Sequence, residues 1–123
     1  IKGAYAFKQL LDKYGKVALG TDFPVEHVSP FYTFYAAVAR QDLEQFPEGG
    51  FQMENALTRE ETLKGMTIWA AFASFQEKQL GTLEKGKDAT LVIFDRPVKS
   101  TGVYTPNFAH TTFIKGKKVY SVE

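Results

Sequence analysis

Asp22 is the residue with the clearest chemical promise in this sequence. It stands in KVALGTDFPVEH (residues 16–27), after the apolar stretch Val17-Ala18-Leu19 and ahead of Phe23-Pro24. A carboxylate at the tip of such a stretch, with Gly20 letting the backbone turn and Pro24 stiffening the exit, suits a metal ligand or a general base. The competing reading is an Asp that caps a turn through its own backbone. Two histidines are available as co-ligands. His27 lies in the loop that follows Asp22, whereas His110 opens a distant strand. Asp-His-His is an acceptable zinc set, but nothing in the spacing brings His110 to the other two, and His27 instead reads as a group facing substrate. Arg40 admits two roles. It anchors a substrate carboxylate, or it complements the dipole at the end of its helix and pairs with Asp42 or Glu44.

The elements that position these residues follow from periodicity and punctuation. Ala6, Leu10 and Tyr14, with Phe7 and Leu11 beside them, predict a helix over 1–14 that Gly15 stops. Lys16 to Leu19 is too short for a helix and apolar in consecutive positions, the pattern of a strand buried on both faces. Ser29 as a cap and Pro30 at the first helical position open a second helix through FYTFYAAVARQDL. Residues 45–57, with Pro47, Gly49 and Gly50, read as a loop. Thr58 and Glu61 form a capping box for a long helix with a stripe of Leu63, Met66, Thr67, Ala70, Ala71 and Phe75, running to about Lys78 and ended by Gly81. Trp69, Phe72 and Phe75 read as core or interface packing. Beyond it, ATLVIFD (89–95) is a strand, 96–109 a loop, and 110–114 with 117–122 a hairpin turning at Lys115-Gly116.

Composition narrows the classes. With 123 residues, 44% of them hydrophobic and 15% aromatic, the chain folds rather than staying disordered. The net charge of +1 hides a gradient: +1 over residues 1–39, −4 over 40–77 and +4 over 78–123. The late lysines sit beside turn glycines without interleaved aromatics, which argues against nucleic acid. No cysteine is present, so disulfides and thiolate metal sites are excluded. No apolar run approaches the length of a membrane span, and a cytoplasmic location is expected. The opening Ile1-Lys2-Gly3 lacks Met, so the true N-terminus is expected upstream.

Backbone accounting adds a further expectation. A buried parallel strand must have its N–H and C=O groups paired on both edges. The late strands read as a separate antiparallel sheet, which leaves Val17–Leu19 with no neighbour. Residues 1–45 therefore read as the last helix-strand-helix of a larger α/β layer or barrel, whose strand ends carry catalytic groups.

The wording of several stretches supports this. ALGTDFPVE, YAAVAR, LTREETLKGMTIWAAFASFQEKQLGTLEKGKDATLVIFD and TTFIKGKKVY resemble, in that order, the C-terminal part of amidohydrolase family 3, a branch of the metal-dependent amidohydrolases. The resemblance covers nearly the whole chain and is most specific from Leu57 to Asp95. It implies an α/β fold: the C-terminal end of a (β/α)8 metal-dependent hydrolase barrel plus part of a small antiparallel β-sandwich, with α+β character in the isolated chain. It divides the chain into a barrel portion (1–45), a loop and capped helix (46–80) and sandwich strands (81–123). It also implies that Asp22 binds a divalent metal, zinc above all, takes a proton from the bound water and passes it to the leaving nitrogen of a small-molecule amide. One departure stands out: Ala89 is followed by Thr90 where the family has Asp, with Asp88 as a shifted substitute in a turn.

The same resemblance implies that the family's His metal ligands lie upstream of Ile1. The chain alone is then expected to be inactive, to hold no metal, and to self-associate through surfaces left exposed by truncation. The alternative is a stand-alone α+β interaction module in which Asp22 only caps a turn. Neither nucleic acid nor membrane is expected as a partner.

Overall fold

In a computed structural model of the chain, residues 3–95, 97–98 and 109–122 are described. The helices come first and the strands last: α1 (Phe7–Tyr14), α2 (Pro30–Ala39), a short 3-10 turn (Met53–Asn55), α3 (Arg59–Met66), α4 (Ile68–Ala73), then β1 (Leu91–Phe94), β2 (Ala109–Ile114) and β3 (Lys117–Ser121). The loop expected over 96–109 lies almost wholly outside the described residues. No helix among the described residues is long and apolar enough to cross a membrane.

Helix α1 ends where the sequence calls for it. Gly15 adopts a left-handed conformation (φ 84°) and donates its N–H to Leu11 O at 2.6 Å, the geometry that glycine reaches without a Cβ penalty. In α2, Pro30 takes the first turn as expected, but Ser29 makes no side-chain capping bond. Thr58 does cap: its hydroxyl accepts from Glu61 N, while Glu61 Oε2 accepts from Thr58 N.

The helix expected to run from Thr58 to about Lys78 is two helices. Thr67 (φ −125°, ψ −95°) leaves helical space between α3 and α4, and the chain turns there. This displaces the expected stripe. Thr62, Gly65 and Ala71 are the buried positions, while Leu63 is exposed and Phe75, at 93% exposure and φ 60°, lies outside the helix altogether. A phase break invalidates any stripe drawn through it.

One core joins the helices. Leu11, Val17, Ala37 and Leu57 are buried together, with Phe7, Leu19 and Trp69 packed against them. Val17 brings the segment ahead of Asp22 into this core. The segment is not the doubly buried strand expected from its composition: Ala18 is exposed, and residues 16–21 join no ladder among the described residues. The reason is the one raised by backbone accounting. With no strand beside it, the amide of Leu19 turns instead to a helix carbonyl, Gly65 O, at 3.0 Å.

The C-terminal part is a three-stranded antiparallel sheet in the order β1-β2-β3. Leu91 faces Phe113 and Ile93 faces Thr111 across the first ladder, and Ile114 faces Lys117 across the second. Lys115 (φ 49°) and Gly116 (φ 77°) both take positive φ at the hairpin turn, as a two-residue hairpin loop matched to strand twist requires. Thr111 is the buried strand residue among those described. The ring of Phe94 meets Phe31 of α2 edge-on at 5.5 Å between centroids.

Candidate functional site

The site is built on the segment that leaves the core at Val17. Two contacts fix its course over α3. Leu19 donates to Gly65 O, and Gly65 itself has no side chain to hold the segment off. A Cβ at that position would lie 2.8 Å from Leu19 Cγ and Cδ1 and 3.0 Å from Val17 O. Gly65 is thus a residue the sequence reading passed over; its signal was a glycine inside a helix, which implies a close approach more often than a break.

From there the chain turns sharply. Asp22 has φ 52°, and its carbonyl accepts from Val25 N at 2.8 Å, closing a four-residue turn. Asp is among the residue types that tolerate this left-handed region. The side chain that assists the turn belongs to Thr21, whose hydroxyl accepts from Phe23 N at 3.3 Å. The carboxylate of Asp22 accepts no amide and pairs with no cation among the described residues, and the residue is exposed. The turn-capping reading of Asp22 therefore does not hold for its side chain: main chain and Thr21 close the turn, and the acid is left over at its first position.

The other candidates are placed elsewhere. His27 is exposed, with Nδ1 accepting from Ser29 N at 3.0 Å and its ring 4.6 Å from that of Tyr32. In the neutral ring the proton thus sits on Nε2. His110 lies on β2, with Nδ1 3.0 Å from the hydroxyl of its neighbour Thr111. Among the described residues no group of three or more His, Cys, Asp or Glu is arranged to hold a metal ion. One exposed carboxylate supplies one ligand, and a zinc centre draws on three or four. The described residues therefore do not by themselves fit a metal.

Arg40 corrects one expectation. It pairs with neither Asp42 nor Glu44. It sits just past α2 in a left-handed conformation (φ 55°) and is 8% exposed. Its Nε donates to Phe51 O at 2.9 Å, its own carbonyl accepts from Phe51 N at 2.8 Å, and Nη1 donates to Tyr5 O at 2.9 Å. The guanidinium carbon lies 5.9 and 5.6 Å from the ring centres of Phe7 and Phe51. Burial lowers its pKa, opposed by the charge of Glu54, but arginine stays protonated. Asp42, meanwhile, accepts from the amides of Glu44 and Phe46 at 2.9 Å.

Glu77 lies beyond α4, and its buried Oε2 has no hydrogen-bond partner among the described residues. Gly81 packs as a close-approach residue: a Cβ there would stand 2.7 Å from Ile68 Cα.

Comparison with known proteins decides the family. The Amidohydrolase family model matches residues 1–120. The chain belongs to the amidohydrolase family. This amidohydrolase chain is 33% identical over 92 residues to an N-substituted formamide deformylase of Arthrobacter pascens, a match covering 75% of the chain and 16% of that protein. It is 30% identical over 127 residues to the protein LONG AFTER FAR-RED 3 of Arabidopsis thaliana (98% and 20%). It is 34% identical over 95 residues to an imidazolonepropionase of Treponema denticola (73% and 19%). The chain thus spans a fifth or less of the length of these relatives. No solved structure matches it.

Proposed function

We propose that this chain is the C-terminal part of a metal-dependent amidohydrolase that cleaves non-peptide C–N bonds of small molecules, and that Asp22 is its catalytic carboxylate. The observation that carries the reading is the uncommitted acid: an exposed carboxylate at the first position of a turn whose own hydrogen bonds are met by other groups. The names of two relatives, a formamide deformylase and an imidazolonepropionase, agree with C–N bonds in small molecules. In the intact protein the segment 16–21 takes its place as the last strand of a barrel, since among the described residues its backbone bonds to another segment only at Leu19 and is left open for strand neighbours.

In this reading the intact protein holds a divalent metal, zinc above all, which supplies an activated water for attack on the carbonyl. This chain's own contribution is a ligand and proton carrier. Asp22 takes a proton and returns it to the departing nitrogen, the role of a positioned general base and acid. His27, with Nε2 turned to no described group, is the second residue placed toward substrate. The chain alone is inactive because it brings one ligand.

The test is Asp22→Asn in the intact protein. Hydrolysis should fall by about a thousandfold or more while the melting temperature stays within about a degree, since the side chain has no partner to lose. Retained turnover would remove Asp22 from the mechanism. The isolated chain should also self-associate, because Ile93, Ile114, Tyr120 and Val122 stand about half exposed on the sheet. Light scattering that finds only monomer would contradict this.

A further inference from the structure

The direction of Asp22 is set by the course of the chain before it, and that course is an arch over α3. Helix α1 ends at Gly15, and the chain runs on directly into the segment 16–21. The arch is bonded to α3 at two points. At one, Lys8 Nζ of α1 donates to Glu61 Oε1 at 2.6 Å. At the other, Leu19 N–H donates to Gly65 O at 3.0 Å, and Asp22 follows Leu19 by three residues. Glu61 and Gly65 are four residues apart in α3, and positions so spaced lie one above the other on one helix face. A single attachment would let the segment swing about the Leu19–Gly65 bond. Two attachments fix its direction.

Most surface ion pairs order little, because two long side chains must be immobilised in water. This pair is better held. Glu61 is fixed independently of Lys8: its Oε2 accepts from Thr58 N at 2.9 Å, and its own amide donates to Thr58 Oγ1 at 3.1 Å. The two side chains are only 31% and 23% exposed. Leu11, one turn along α1 from Lys8, is buried with Leu57, the residue before the Thr58 cap. The bridge thus stands beside an apolar contact between the same two segments. Lys8 also meets Asp12 at 3.2 Å, a contact that stays within α1.

We infer that Lys8 and Glu61 are positioning residues for Asp22: their bridge fixes α1 on α3 and so sets the direction in which the segment 16–21 carries the acid. This role rests on the catalytic reading of Asp22. Neither Lys8 nor Glu61 touches substrate in it. Helix α3 carries its own control, since Lys64 and Glu60 form a bridge of the same 2.6 Å length within that one helix.

The test is Lys8→Met in the intact protein, which keeps a long apolar stem and removes the charge. The expected result is a fall in kcat of about tenfold, as a small misplacement of a reacting group produces, with KM unchanged. Lys8→Arg, which still donates to Glu61, should restore kcat, and Glu60→Gln should leave it at the wild-type value. Hydrogen exchange supplies a readout without turnover. In Lys8→Met the Leu19 amide should exchange about tenfold faster, as a local opening requires. The Leu57 amide, bonded to Ala37 O at 3.0 Å, should keep its rate. An unchanged kcat in Lys8→Met, an equal fall in Lys8→Arg or Glu60→Gln, a loss carried by KM, or parallel exchange at Leu19 and Leu57 would each overturn the positioning role. Asp22→Asn separates the two failures. If it abolishes hydrolysis while Lys8→Met keeps full kcat, the acid is catalytic and the bridge does not position it. If Asp22→Asn retains turnover, both roles fall.

Discussion

The helical part and the sheet of this chain are held together in opposite ways. In the helical part, the core residues Leu11, Val17, Ala37 and Leu57 are buried and drawn from four different segments. Specific polar contacts tie those segments: Leu19 to Gly65, Arg40 to Tyr5 and Phe51, and Lys8 to Glu61 at 2.6 Å. The sheet has two antiparallel ladders, each with one register shift, and almost no burial, with every residue of β3 exposed. Backbone hydrogen bonds alone stabilise little, since each replaces a bond to water. An open three-stranded sheet needs an apolar face covered. The residue that could do chemistry is mounted on the part that has its own core.

Five substitutions probe this contrast, from the largest effect to the smallest. Leu57, 3% exposed, is the deepest apolar residue of the helical core, so Leu57→Ala should cost about 2–5 kcal/mol in urea denaturation. A loss under about 1 kcal/mol would mean that the core is not what holds this part. Gly65→Val drives a branched side chain into Leu19 and Val17 O, and should cost about 1–3 kcal/mol as overpacking does. In the intact protein the same change should lower turnover by displacing the Asp22 segment. A neutral result would show that the segment lies less closely on α3.

Thr58→Ala removes the capping bond to Glu61 N and should cost about 1 kcal/mol. The same cap makes a pH prediction. The carboxyl of Glu61 is held below its usual 4.5, first by the hydrogen bond from Lys8 and then by the Thr58 amide. The unfolded chain therefore takes up this proton more readily, so stability from Glu61 is present above pH 4.5 and is lost as pH falls through the lowered value. In Glu61→Gln the melting temperature should fall less between pH 5 and 3 than in the wild type. Equal slopes would leave the bridge to Lys8 without effect. Lastly, Val92→Thr, at a site 43% exposed in β1, should change stability by no more than about 0.5 kcal/mol. A cost rivalling Leu57→Ala would erase the distinction between the two parts.

Much of this was legible without coordinates because it rests on local rules. Gly15, Pro30, the Thr58–Glu61 box and Lys115-Gly116 each terminate or start an element through backbone chemistry within a few residues. What failed were inferences requiring a partner. The strand at Val17–Leu19 was read correctly as apolar, yet a strand exists only when another pairs with it. The long stripe from Leu63 to Phe75 assumed one unbroken helix, and Thr67 interrupts it. Arg40 was expected to meet its sequence neighbours, but its carbonyl partners lie eleven and thirty-five residues away.

The order of types along the chain was enough to determine that the helices precede the antiparallel strands, that Asp22 stands at an exposed turn, and the family to which the chain belongs. Which groups touch was decided only by the tertiary structure: Gly65 beneath Leu19, Arg40 among Tyr5, Phe7 and Phe51, and an Asp22 carboxylate spared by Thr21. The physical reason is range. Caps and turns are settled by dihedral preferences of adjacent residues, whereas burial and close contact depend on which distant segments the core draws together.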